Sequence, residues 1–234
     1  MNTKNNSHNS QWTEKLNKVL LQFKIIPKNY SKYVQALTHP SYSHENNLRY
    51  NYQRFEFIGD AAISWVISNF LFADKTLSEG EMSIKKAKLV SGSTLSLAAQ
   101  KIKLDELVFV GKGLEKVSAK ILEDFFESFI GVIANDVGIK KAAKVIQYCV
   151  IDPYLNGEIN TDKPYKTMIQ EALMRNSTSG IKYENITRGK SKIKKVALIF
   201  DGNIYGIGHG ETLRIAEEDA AKNAYSKLST EKNK

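Results

Sequence analysis

Four carboxylates stand where carboxylates are scarce. In FEFIGDAAISWVISNFLF, residues 55–72, Glu56 and Asp60 are spaced i, i+4, so they stack on one side of a helix whose other positions are nearly all apolar. In ILEDFFESFIGVIAND, residues 121–136, Asp124 and Glu127 are spaced i, i+3, again on one face and again beside Phe125, Phe126, Phe129 and Ile130. Burying an ionised carboxylate without a partner is costly. If the two helices cross, all four acids meet in a wall of hydrophobes. Hard anionic oxygens without histidine or cysteine suit Mg²⁺ or Mn²⁺ rather than zinc, and such a site serves phosphoryl chemistry by neutralising charge on the transition state. The competing reading, of about equal weight on residues alone, pairs each acid with a lysine or arginine such as Arg54 in a structural bridge.

The elements that must position these acids read as helices. Apolar spacing near 3.6 predicts helices over Trp12 to Phe23, Tyr33 to Leu37, Phe55 to Phe72, Ser78 to Ala99, Ile121 to Val137 and Ile139 to Tyr154. The helix carrying Glu56 and Asp60, apolar on nearly every face, is expected at the buried centre. The pattern changes after residue 163. Pro164 opens a helix through Arg175, Lys182 to Arg188 and Lys194 to Phe200 read as strands, and Asp201-Gly202-Asn203 is a hairpin signal. Ile204 to His209 returns as a third strand, and Thr212 can cap a last helix in which Ala216, Ala220, Ala224 and Leu228 recur every fourth residue. The fold class is therefore an all-α domain followed by a small α+β domain of order α-β-β-β-α. The expected boundaries are a disordered arm at 1–11, the helical domain at 12–155, a linker at 156–163, the second domain at 164–228 and a tail at 229–234.

Composition narrows the classes. The 234 residues carry a net charge of +9, spread over both domains, and 42% are apolar. Enough apolar surface for a sizeable core excludes bulk disorder, and the positive balance favours an anionic partner, most often nucleic acid. Cys149, the one cysteine, admits neither an internal disulfide nor a thiolate zinc site, and in its apolar stretch it reads as a small buried hydrophobe. A polar N-terminus predicts no signal or anchor, and Glu56 and Asp60 interrupt the longest apolar stretch, so no membrane span is expected and the cytoplasm is the expected compartment. His39 in THPSY lacks a third catalytic partner and reads as a structural histidine packing a turn. Gly206, Gly208 and Gly210 precede no dinucleotide-binding unit and read as backbone spacers.

QRFEFIGDAA, residues 53–62, resembles the signature of ribonuclease III, the family of endoribonucleases specific for double-stranded RNA. ALTHPSYSHE before it, EGEMSIKKAKLVSGSTLSLAA after it and EDFFESFIGVIANDVG further on follow that family's order and spacing, and the resemblance covers residues 12–228. It implies a nuclease domain followed by a double-stranded-RNA-binding domain, with Glu56, Asp60, Asp124 and Glu127 as ligands of Mg²⁺, for which Mn²⁺ substitutes, and Asp60 and Glu127 as catalytic groups. It also implies an auxiliary role for Glu79, a two-fold homodimer with Phe57 at its interface, and RNA substrates such as ribosomal and messenger precursors, with no cofactor beyond the metal. Gln53 departs from the glutamate most relatives carry there, and no residue of 111–121, a segment shorter than the family's, is carried over.

In the second domain, YKTMIQEAL resembles the family's first contact helix, which implies RNA contacts for Thr167, Gln170 and Glu171. RGKSKIKK, residues 188–195, offers Lys190, Lys192, Lys194 and Lys195 where a loop should meet the groove, though the histidine usual in relatives is missing. GHGETLRIAEEDAA matches the start of the last helix, implying contacts for Thr212 and Arg214, with Leu213 in place of a lysine. Two other readings remain open: a duplex-RNA-binding protein that has lost cleavage, and a small-molecule phosphohydrolase, which leaves the second domain without purpose.

Overall fold

The computed structural model describes residues 3–114, 116–161, 164–174, 180–189 and 191–231, of which 3–9 and 229–231 are described by backbone alone. The chain divides into two compact units, Met1–Thr161 and Asp162–Lys234, and the division falls inside the segment read as a linker.

The first unit is helical. Its elements are α1 (Thr3–Gln22), α2 (Tyr30–Ala36), α3 (Pro40–Glu45), α4 (Gln53–Ala73), α5 (Glu79–Leu89), α6 (Gly92–Lys101), α7 (Ala119–Val137), α8 (Ile139–Ile146) and α9 (Asp152–Leu155), with a π-helical stretch, Gln147–Ile151, joining the last two. Two expectations are corrected here. The stretch 1–11, read as an arm, is helical from Thr3: Leu16, Val19, Leu20 and Phe23 fix the helix in the core, and a nucleated helix gains a bond for each residue it adds. The pattern Ser78 to Ala99, read as one helix, breaks at Ser91-Gly92. Thr94 Oγ1 donates to Lys88 O at 2.9 Å, and a Cβ on Gly92 would stand 2.4 Å from Glu123 Oε2 of α7, so α6 begins anew against that helix.

The centre of this unit is the crossing of α4 and α7. A Cβ on Gly59 of α4 would lie 1.7 Å from Glu127 O, and one on Gly131 of α7 would lie 2.0 Å from Phe55 O. The two glycines therefore let backbone meet backbone, a separation no other residue permits. Around the crossing, Phe55, Ile63, Val66 and Ile67 pack with Phe125, Phe126, Phe129 and Ile130 in one core. Only the inner side of α4 is buried, which corrects the expectation that this central helix is enclosed on nearly every face. Phe57 (81% exposed), Trp65 (60%) and Phe72 (62%) recur on its outer side as one apolar stripe. Length and hydropathy alone also make α4 long and apolar enough to cross a membrane; its inner side is given to the core.

The second unit has α10 (Tyr165–Met174), strands β1 (Lys182–Asn185), β2 (Lys194–Phe200) and β3 (Asn203–Gly210), and α11 (Leu213–Glu231). Arg175, read as the end of the first of these helices, lies outside the described residues. The strands form an antiparallel sheet in chain order, with Phe200 opposite Asn203. Asp201 (φ 49°) and Gly202 (φ 77°) make the two-residue turn between them, the conformation that follows the twist of paired strands. Gly206 and Gly208 let α11 lie on β3: a Cβ at either would approach the backbone around Ala220 to about 2.2 Å or less. Ile169, Leu198, Ala220, Ala221 and Ala224 close a small core.

Candidate metal centre and basic surface

The glycine crossing brings the acids of α4 and α7 together. One carboxylate oxygen each from Glu56, Asp124 and Glu127 lie within 4.8 Å of one another. Asp124 and Glu127 are buried and Glu56 is half-buried. Asp60, one turn after Glu56, is exposed beside this trio, near enough that its charge acts on Glu127. Burial first, then the charges of Asp60, Glu123 and Glu56, push the Glu127 carboxyl up to about 8. Burial, followed by the charge of Asp124, also raises Glu56.

Two further groups complete the geometry. The buried Tyr52 hydroxyl donates to Asp124 Oδ2 at 2.9 Å. Lys120 Nζ stands 2.8 Å from Asp124 Oδ1 and 3.4 Å from Glu123 Oε1, with its side chain 68% exposed. Lys120 is thus ion-paired to Asp124 Oδ1, and Tyr52 holds the other oxygen. The carboxylates hold the Lys120 ammonium in its charged form to unusually high pH. The cation that approaches the acids is thus Lys120 rather than Arg54.

This arrangement fits a divalent cation. The donors are all carboxylate oxygens; burial first, and then the charges of neighbouring acids, raise Glu56 and Glu127, and the Lys120 ammonium offsets part of that repulsion.

The weaker candidates lie elsewhere. Glu79 is the first residue of α5, accepts from Ser83 Oγ at 2.9 Å, and lines an open groove of about 420 Å³ with Trp65, Phe72, Met82 and Lys86. The structure does not bring it to the acidic trio. Gln53 is the exposed first residue of α4, its N–H donating to Asn51 Oδ1 at 3.1 Å. His39 accepts from the Ser41 N–H at 3.1 Å and starts α3, while Ser41 Oγ accepts from the Gly111 N–H at 2.9 Å. Sequence reasoning missed Tyr52, Lys120 and Glu123. Lys120 lies in the segment from which nothing was carried over, and its i, i+4 spacing to Asp124 was the available signal. No pattern reveals Tyr52, because its partner is 72 positions away.

In the second unit, Lys194 stands opposite Gly210 and Lys195 opposite His209, which places the lysine end of β2 beside the start of α11. There Thr212 Oγ1 accepts from the Ile215 N–H at 3.3 Å, a helix cap, and Arg214 is exposed. Lys166 of α10 pairs with Glu217 of α11, so α10 begins near the same end. On α10, Gln170 and Glu171 are exposed and Thr167 is half-buried. Lys192 is exposed; Lys190 lies outside the described residues.

Comparison with known families settles the kinship. Residues 30–154, over half of the chain, match the sequence model described as ribonuclease-III-like, and residues 165–228 match the double-stranded RNA binding motif. The chain belongs to the ribonuclease III family. It is accordingly an endoribonuclease, a hydrolase with a helical nuclease domain and an RNA-binding domain behind it. Ribonuclease 3 of Ureaplasma parvum is 43% identical over 221 residues, covering 89% of this chain and 93% of the relative. Ribonuclease 3 of Streptococcus pyogenes is 34% identical over 205 residues, covering 83% and 89%. A solved ribonuclease III nuclease domain from Campylobacter jejuni, described for flexibility in a region involved in dimer formation, superposes with a TM-score of 0.54 at 27% identity, covering 59% of this chain and 96% of that one.

Proposed function

We propose that this ribonuclease III family member hydrolyses phosphodiester bonds of double-stranded RNA, using Mg²⁺ or, in its place, Mn²⁺ held by Glu56, Asp60, Asp124 and Glu127, and leaves 5′-phosphate and 3′-hydroxyl ends. The observation that carries this reading is the convergence of three carboxylates from two helices whose backbones touch through Gly59 and Gly131. A divalent cation bound there supplies Lewis-acid stabilisation of the charge that builds on the phosphate. Glu127 and Asp60 are the acids nearest the reacting groups in this reading. Glu127, whose carboxyl burial and neighbouring acids push up to about 8, would hold the cation in its deprotonated form. The basic end of the second unit, with Lys192, Lys194, Lys195, Thr212 and Arg214 at one edge of the sheet and Thr167, Gln170 and Glu171 on α10, grips the phosphates and 2′-hydroxyls of the duplex. Lys190 and Gln53 are supporting members of these sites.

A homodimer belongs to the same reading. The exposed stripe Phe57, Trp65 and Phe72 is more apolar than a solvent-facing helix requires, and it supports a two-fold pairing that gives each strand of the duplex one site. Precursors of ribosomal and messenger RNA, in the cytoplasm, are the proposed substrates. Long end-labelled duplex RNA, incubated with and without Mg²⁺, tests the proposal on the parent protein and on Glu127→Gln. Cutting should require the metal and fall roughly a thousandfold in the variant while binding persists. Binding without metal-dependent cutting by the parent would turn the reading into that of a duplex-RNA binder, and undiminished cutting by Glu127→Gln would remove the site assignment.

A further inference from the structure

Asp124 is the acid of the trio that neighbouring groups hold most closely, and its two oxygens are treated differently. Oδ2 takes the neutral hydroxyl of the buried Tyr52 at 2.9 Å, whereas Oδ1 takes the ammonium of Lys120 at 2.8 Å, on a side chain 68% exposed. A carboxylate held at one oxygen by a neutral donor keeps its orientation and presents the other oxygen for coordination.

Tyr52 is itself fixed from several sides. It is 5% exposed, and its ring packs against Phe125 (centroids 5.0 Å apart) and His39 (5.7 Å). Its N–H donates to Thr38 O at 2.9 Å, and Ser128 Oγ of α7, which lies 2.7 Å from Ala36 O, stands 3.4 Å from the Tyr52 carbonyl. That carbonyl also accepts from the Glu56 N–H at 3.0 Å, closing the turn of α4 that carries Glu56. One residue thus sets the first turn of the helix bearing one acid and holds the side chain of another acid on the partner helix.

From this we infer that Tyr52 is a positioning residue of the metal centre: its hydroxyl orients Asp124 toward Glu56 and Glu127 and thereby sets affinity for the divalent cation. The inference rests on the metal site proposed above. It assigns Tyr52 no contact with RNA and no part in proton transfer.

Tyr52→Phe removes one oxygen and keeps the ring, so the packing on Phe125 and His39 survives. The test is Mn²⁺ binding to the full chain without RNA, by titration calorimetry and by the metal-induced rise in melting temperature. Tyr52→Phe should melt like the parent when metal-free and bind Mn²⁺ about tenfold more weakly, the usual consequence of losing a partner of a ligand. The Mg²⁺ concentration giving half-maximal cleavage should rise by the same factor, while KM for duplex RNA at saturating metal stays put. In Asp124→Asn the hydroxyl has lost its carboxylate, so adding Tyr52→Phe should lower Mn²⁺ affinity no further. A Tyr52→Phe protein that melts normally and binds Mn²⁺ within twofold of the parent would overturn the inference, as would full additivity with Asp124→Asn. A parent that binds no divalent ion would remove the metal site itself, a result distinguishable from both.

Discussion

Close backbone contact through glycine occurs in both units, to different ends. Gly59 and Gly131 bring two helices together in the first unit, with Glu56 about a turn before Gly59 and Glu127 about a turn before Gly131, so the approach fixes the separations of Glu56, Asp124 and Glu127. In the second unit Gly206 and Gly208 seat α11 on β3 against alanines, and the lysines proposed to meet RNA are exposed or half-buried, away from that contact. Coordination of a small cation depends on sub-ångström placement, whereas gripping a phosphate backbone depends on the sum of many weak charges. Placement of the acids is brittle to a change at one position; a surface of several lysines tolerates the loss of any one charge.

The largest test of that contrast is Gly131→Val. Its side chain cannot share space with Phe55 O, so the melting temperature of the first unit should drop by roughly 10 °C or more, and both Mn²⁺ binding and cleavage should vanish. Gly208→Val should melt the second unit and abolish RNA retention in a gel shift, yet leave Mn²⁺ affinity at the parent value; a coupled loss of metal affinity would break the comparison. Lys194→Gln with Lys195→Gln should weaken duplex binding about tenfold and reduce the slope of log affinity against log salt by about 2, leaving cleavage of bound RNA unaltered.

A smaller effect concerns pH. Because Glu127 is held at about 8 in the folded protein against an ordinary 4.5, the folded state keeps a proton that the unfolded chain releases between those values. Metal-free stability should therefore decline as pH climbs from about 4.5 to 8, by a few degrees in melting temperature, and Mn²⁺ should restore more at pH 8 than at pH 5. Glu127→Gln should flatten that slope in the metal-free protein.

What could be read from the residues was whatever depends on neighbours in the chain. Lys194 to Phe200 is a strand over those same residues, because period-two alternation and the Asp201-Gly202 turn are local, and Thr212 caps α11 as its type and place require. The convergence of Glu56, Asp124 and Glu127 was visible as acids misplaced among hydrophobes, since burial cost is written in composition. The partners of those acids were not. Tyr52 reaches Asp124 only after the chain has folded back, and the half-exposed α4 reads as central because an exposed apolar stripe has the same composition as one inside a core. The break at Ser91-Gly92 was legible after all in the Ser-Gly-Ser sequence, since Ser91 stands at the start of α6 and its hydroxyl donates to Lys88 O at 2.8 Å; unbroken apolar spacing masked it.

Lys120 has a consequence for how the protein is made. With a side-chain ammonium resting against Asp124 and Glu123, and a broad apolar interior already closed behind them, the chain can finish folding in metal-poor surroundings. A chelator should therefore stop cleavage by this enzyme while its helical circular dichroism stays unchanged.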